Sequence, residues 1–150
     1  MKNLFEPASV QEVKGRIANL KPDSAAQWGS MNAAQAMAHC VGGLETAVGD
    51  SKPPRVLIGY VIGGIIKPKV VGNDEPFRKN SPTAKSLVVA DERDLAKEKE
   101  RVNVLIDRFV AGGPAVCTGH PHAFFGKLKP HEWAILMYKH LDHHLRQFGA

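Results

Sequence analysis

His140-Leu141-Asp142-His143-His144-Leu145-Arg146-Gln147 places three of the chain's seven histidines within five residues near its C-terminal end. The surrounding pattern is helical from about Pro130 to Phe148. Trp133, Ala134, Met137, Leu141, Leu145 and Phe148 recur at three- and four-residue spacing and form one apolar face. Glu132, Lys139, Asp142 and Arg146 form the opposite face, read as solvated. His140 and His144 stand one turn apart on the edge of the apolar face, and His143 turns toward the polar side. Two imidazoles at that spacing can reach one metal ion, as in the His-x-x-x-His pair of zinc metalloproteases. The glutamate base of that protease motif is missing, because Leu141, Asp142 and His143 intervene. The pair also suits a plainer role: protonated histidines in a last helical turn are favoured by the macrodipole by about 0.3–1 kcal/mol each. Taken alone, the pair leaves both readings open.

A second segment, Ser30 to Val48, reads as a helix with Ser30 as its N-cap. Ala33, Met37, Cys40, Val41, Leu44 and Val48 form its apolar stripe. Asn32, Gln35, His39, Gly42, Gly43 and Thr46 form the other side, and Glu45 is the one charge from Met31 to Val48. A solvent face would carry several Lys or Glu, so this small, uncharged stripe reads as a cavity wall. Gly42 and Gly43 each cost about 1 kcal/mol of helix propensity, which points to space being needed there. His39 by itself reads equally as a hydrogen-bonded buried histidine.

The run Trp28-x-x-Met31-x-x-x-Gln35 ahead of a lone His39, with His140-x-x-His143-His144-x-x-Gln147 on the last helix, resembles the DinB/YfiT-like superfamily of four-helix-bundle metalloenzymes. More narrowly, His120-Pro121, Phe124 to Leu128, Glu132-Trp133 and His140 to Gly149 resemble a bacterial branch of it with no assigned function. The resemblance runs from about Trp28 to Gly149, and its motifs are most specific in the C-terminal block. It implies an up-down four-helix bundle and a three-histidine metal site at His39, His140 and His144. It also implies a divalent ion such as zinc or nickel, and a thiol-dependent transferase or a metal-assisted hydrolase. No substrate motif comes with it.

The length of 150 residues fits one domain over 1–150. Cys40 and Cys117 do not make a disulfide framework, which favours a reduced, cytoplasmic protein. Cys40 lies on the apolar stripe and reads as core. The first residues lack an apolar signal core. The longest apolar run, Val56 to Ile66, is far short of the ~20 residues that cross a bilayer, so no membrane partner is expected. The formal charge of +5 would allow an anionic partner. The basic residues are scattered without interleaved aromatics, so nucleic acid is not expected and a small-molecule substrate, a thiol or an anionic compound, is. A homodimer is left open.

Ser9-Val10-Gln11-Glu12 reads as a capping box opening a first helix that runs to about Leu20. Arg55 to Ile66 reads as a short buried helix, with a strand as the alternative. Residues 67–90, with Pro68, Pro76 and Pro82, read as a long loop suited to capping the site. Asp91 to about Val110 is an amphipathic helix with Leu95, Val102, Leu105, Ile106 and Phe109 inside. Residues 117–126 read as an extended loop pinned by Phe124 and Phe125. Cys117, His120 and His122 within it match no common structural zinc spacing.

The expected architecture is therefore all-α: four long helices, one short extra helix and a long loop. The expected ligands are His39, His140 and His144. Gln35, His143, Gln147 and His120 are expected in supporting or pocket positions. No protein nucleophile is identifiable, leaving a metal-activated water or a substrate thiol to do the chemistry. The rival is a non-catalytic helical protein that binds a metal or ligand without turnover.

Overall fold

A computed structural model describes residues 1–81, 83 and 85–150. Among the described residues five α-helices follow one another: α1 (Pro7–Asn19), α2 (Ala33–Val48), α3 (Leu57–Val71), α4 (Leu95–Gly112) and α5 (Pro130–Gln147). Short 3-10 turns lie at Lys85–Leu87 and Gly113–Val116. Among the described residues there is no strand, only an isolated bridge between His122 and Gly126. The all-helical expectation holds; Pro82, one of the three prolines of the expected loop, lies outside the described residues.

The helix starts differ from those read in the sequence. In α1 the N-cap is Glu6 and Pro7 opens the helix, where its missing N–H costs nothing. Ser9 is not the cap; it is buried inside the first turn and its Oγ donates to Glu6 Oε2 at 3.1 Å. In α2 the cap is Asn32, not Ser30. Its Oδ1 accepts from the Gln35 N–H at 2.9 Å while Gln35 Oε1 accepts from the Asn32 N–H at 3.0 Å, a reciprocal capping box. Asp94 caps α4 by accepting from the Lys97 N–H at 2.9 Å.

Helix α2 is buried on nearly all sides and packs against both α4 and α5. Of its uncharged polar stripe, His39, Gly43 and Thr46 are buried, Gln35 and Gly42 are half-buried, and Asn32, the cap, is exposed. The core also takes Leu4, Val13 and Ile17 from the N-terminal region, the five expected residues of α4, and Trp133, Met137, Leu141 and Leu145 of α5. Phe5 stacks on Phe109 with ring centroids 5.2 Å apart, tying the N-terminal segment to α4.

The polar face expected on α5 is only partly solvated. Asp142 is buried between Arg16, whose Nη1 donates at 2.7 Å, and Arg146, whose Nε donates at 2.7 Å. A buried carboxylate needs such partners, and α1 supplies one. Lys139 is also buried, with Nζ donating to the carbonyls of Val70 (2.6 Å) and Asn73 (3.1 Å). These bonds bring the chain after α3 down onto α5.

Helix α3 departs furthest from expectation. It runs to Val71, past Ile66; Leu57, Ile58, Tyr60, Val61 and Ile65 are exposed, Ile62, Ile66 and Val70 are half-buried, and Val71 alone of its apolar side chains is buried. Ahead of Val71 the buried positions are Gly59 and Gly63: a Cβ on them would lie 2.6 and 2.1 Å, respectively, from the Phe124 carbonyl oxygen. Only glycine lets the helix rest directly on the 123–125 backbone. Composition signalled burial, but the contact is made by the residues that lack side chains.

Candidate metal centre

Three imidazoles meet where α2 faces α5. His39 and His140 have ring centroids 4.6 Å apart, His39 and His144 4.8 Å, and His140 and His144 5.1 Å. One nitrogen from each ring lies within 4.8 Å of the other two. The i, i+4 spacing on α5 supplies two rings and the internal stripe of α2 supplies the third. Gly43 provides the space: a Cβ there would lie 2.9 Å from His140 Nδ1.

The outer nitrogens of two rings are committed. His39 Nδ1 lies 2.8 Å from the Leu87 carbonyl oxygen, which can only accept, so Nδ1 carries the proton. His144 Nδ1 lies 2.8 Å from Gln147 Oε1, whose amide Nε2 donates to the Trp28 carbonyl at 2.6 Å. That orients the Gln147 amide and makes His144 Nδ1 the donor. Both rings therefore turn a bare Nε2 lone pair inward. His140 Nε2 lies 2.7 Å from His39 Nε2, so without an ion His140 donates its Nε2 proton to the lone pair of His39.

Burial keeps these rings neutral. It lowers His39, against the opposing effect of the Leu87 bond. His140 is held well below the usual imidazole range by burial and then by the neighbouring imidazoles. His144 is pushed down to about 3, chiefly by burial and next by His39, with the Gln147 bond opposing. Neutral, inward-facing nitrogens are what a metal ion requires of histidine.

The supporting residues divide. Gln147 is a direct partner of His144. His143 lies beside His144 at 5.1 Å between ring centroids, with Trp28 at 5.5 Å and Phe77 at 6.0 Å on its other sides. Gln35 is not in the cluster: its side chain is used by the α2 capping box and by a bond to the Asp91 carbonyl at 3.1 Å. His120 is not there either. Its Nε2 lies 3.2 Å from the Pro53 carbonyl, so it serves the loop after α2.

His122, not His120, is the linker histidine placed to act electrostatically on His140. Its ring lies 5.6 Å from Trp133 and its Nδ1 accepts the N–H groups of Phe124 and Phe125, both at 3.1 Å. Burial and the charge of Arg55 push it down to about 4, consistent with a neutral acceptor. Of the two phenylalanines, Phe125 packs on the core and Phe124 packs on Phe125. Cys40 is fully buried and its thiol is pushed far up, so it is core and not a nucleophile.

The loop after α3 closes over this site. Leu87 supplies the carbonyl for His39, and its Cδ2 lies 2.9 Å from where a Cβ on Gly42 would be. Phe77 flanks His143, and Lys79 Nζ stands 4.7 Å over the Trp28 ring. A backbone carbonyl partner leaves no trace in residue types, so Leu87 could not be singled out from the sequence.

A family described as "Protein of unknown function (DUF1569)" has a model that matches residues 4–150. The chain belongs to this family. No curated protein and no solved structure matches it. For this member of DUF1569, the three-histidine group is an arrangement that could hold a metal ion.

Proposed function

We propose that this chain is a metal-dependent enzyme in which His39, His140 and His144 hold one divalent ion, zinc or nickel, within a DinB-like helical bundle. The observation that carries the reading is the fixed tautomer of His39 and His144: two independent acceptors, Leu87 O and Gln147 Oε1, each take an Nδ1 proton and leave Nε2 bare. Partners of this kind on the far nitrogen are the usual companions of metal-bound imidazole. The donor set fits. Nitrogens bonded to zinc at about 2.0–2.1 Å sit roughly 3.4 Å apart in a tetrahedron. The 2.7 Å pair must open slightly and the widest pair, within 4.8 Å, must close.

Three protein ligands leave a coordination position for substrate or water, the pattern of catalytic and not of structural zinc. When bound, such an ion supplies Lewis acidity toward a water or a thiol at neutral pH. The chain's own residues hold and orient. Gln147 and Leu87 fix two rings, Gly43 admits the third, and Trp28, Phe77 and the loop around Leu87 shield the site from bulk water. With no protein nucleophile at hand, the reaction class is transfer to a substrate thiol or hydrolysis of a small molecule.

The test is metal analysis of protein purified without a polyhistidine tag, with X-ray absorption at the metal edge. About one divalent ion per chain with histidine nitrogens at about 2.0–2.1 Å is expected, together with an exchangeable light-atom ligand. His144→Ala should lose the ion and stay helical, whereas His143→Ala should keep it. Absence of a stoichiometric ion after incubation with zinc and nickel would overturn the metal site. A closed shell with no exchangeable ligand would overturn the enzyme.

A further inference from the structure

The outward face of α3 is apolar without interruption. Leu57 is 86% exposed, Val61 75%, Ile65 66%, Tyr60 65% and Ile58 59%. On a helical wheel these positions form one continuous sector, opposite Gly59 and Gly63, with Gly64 inside it. No charged residue occurs from Leu57 to Ile66. Contiguous exposed apolar surface of this kind marks an interaction site.

Within residues 51–73 the charged side chains share one sign, and Asp50, Asp74 and Glu75 lie just outside that stretch. Residues 51–73 contain no Asp or Glu but carry Lys52, Arg55, Lys67 and Lys69. Lys52 and Lys69 are exposed at the two ends of the helix. The Arg55 guanidinium lies 4.0 Å from the Tyr60 ring centroid. Lys67 is paired with Glu132 at 2.9 Å and its Nζ also donates to the Lys127 carbonyl, which sets exposed Lys127 beside the same end. The helix lies flat on the 123–125 backbone, so the apolar sector faces outward, and on the helical wheel Lys69 stands beside its Ile58 edge.

We propose that α3 is an interfacial helix that docks this chain on a bilayer surface bearing anionic lipid headgroups. The apolar sector enters the boundary between headgroups and acyl chains, and the basic residues at both ends meet the lipid phosphates. A second copy of the chain fits less well. A two-fold pairing of α3 would bring Lys52 and Arg55 of one copy toward Lys69 of the other, like charges against like. Lying on the surface needs no spanning segment: no helix among the described residues is long and apolar enough to cross a membrane. At 15 residues α3 is about 22 Å long, short of the roughly 30 Å hydrocarbon core. The earlier expectation of no membrane partner rested on span length. The proposal is independent of the metal reading.

The experiment is cosedimentation of the full chain with vesicles of phosphatidylcholine containing phosphatidylglycerol, against phosphatidylcholine alone, with light scattering to follow mass in solution. Binding to the anionic vesicles, weakened by salt, is expected. The double variant Lys52→Ala/Lys69→Ala should bind about thirtyfold more weakly, as two interfacial charges are lost. Val61→Glu should abolish binding while its helical spectrum and zinc uptake stay as in the parent. Equal binding to both vesicle types would overturn the role of the basic ends. No binding to either, with or without a stable dimer that Val61→Glu dissociates, would overturn the proposal, and such a dimer would assign the face to a second copy.

Discussion

A methyl group added at Gly43 would meet His140 Nδ1 at 2.9 Å and Cε1 at 3.0 Å, whereas one at Gly42 would meet only the Cδ2 end of Leu87, which can swing aside. Both changes raise helix propensity by about 1 kcal/mol. Gly43→Ala should therefore leave the apo protein as stable as before or more so, yet weaken zinc binding by about 10–100-fold, the usual cost of disturbing a ligand's surroundings. Gly42→Ala should leave zinc affinity close to the parent value. A chelator-competition titration beside a thermal melt reads both quantities. Equal affinity in the two variants would show that His140 is not held where binding needs it. At this scale the sequence was informative for a physical reason. Glycines at a stability cost in mid-helix, and two histidines one turn apart, are choices that a plain helix would not make. Gln35 misled because the same polar side chain also serves as a capping residue, and the cap lay two residues beyond Ser30. His120 misled because nothing in the spacing of a loop says which of its side chains turns inward.

The loop between α3 and α4 is the element that couples to the site. Leu87 binds His39 through its carbonyl, Gln35 binds the Asp91 carbonyl, and Lys139 binds the carbonyls of Val70 and Asn73. A ligand on His39 Nε2 favours the same tautomer and ring orientation that the Leu87 bond favours, so each should stabilise the other. Zinc is therefore expected to slow tryptic cleavage at exposed Arg78, Lys79 and Lys85, with cuts in α1 unaffected. Cleavage rates in the loop unchanged by saturating zinc would show that loop and site are uncoupled. Helix α4 was legible because its apolar stripe answers to a single buried face, whereas α5 also buries Lys139 and Asp142 of the face read as solvated. The loop's closing role was expected from its length alone, and its contacts run through backbone carbonyls that composition does not encode. Helix α3 was misread because hydropathy reports what a residue prefers, while close backbone approach is decided by the absence of a Cβ at Gly59 and Gly63.

Across the whole molecule, five of the seven histidines are held below their ordinary range, His39, His122, His140, His143 and His144, each chiefly by burial. Such a ring is neutral in the folded chain and takes up a proton when the chain unfolds below pH 6.5. The unfolded state then binds more protons, so stability rises with pH in that window and is lost as pH falls. His144 and His122, at about 3 and about 4 in the fold, extend the loss well down the scale. Each ring contributes a slope of up to about 1.4 kcal/mol per pH unit. Glu12, Asp50 and Glu132 are lowered from about 3.8–4.5, so their contribution is present above that range and lost only beneath it. The interval from about pH 6.5 to 4.5 thus isolates the histidines. The apo protein should melt at progressively lower temperature across it. At fixed zinc, the added stability should persist at pH 6, below the ordinary imidazole range, because protons compete for the ligands only near their lowered values. Thermal melts with and without zinc check both. A melting temperature flat from pH 7 to 4.5 in the apo protein would mean that the cluster is already protonated in the fold, and a charged cluster could not be the metal site.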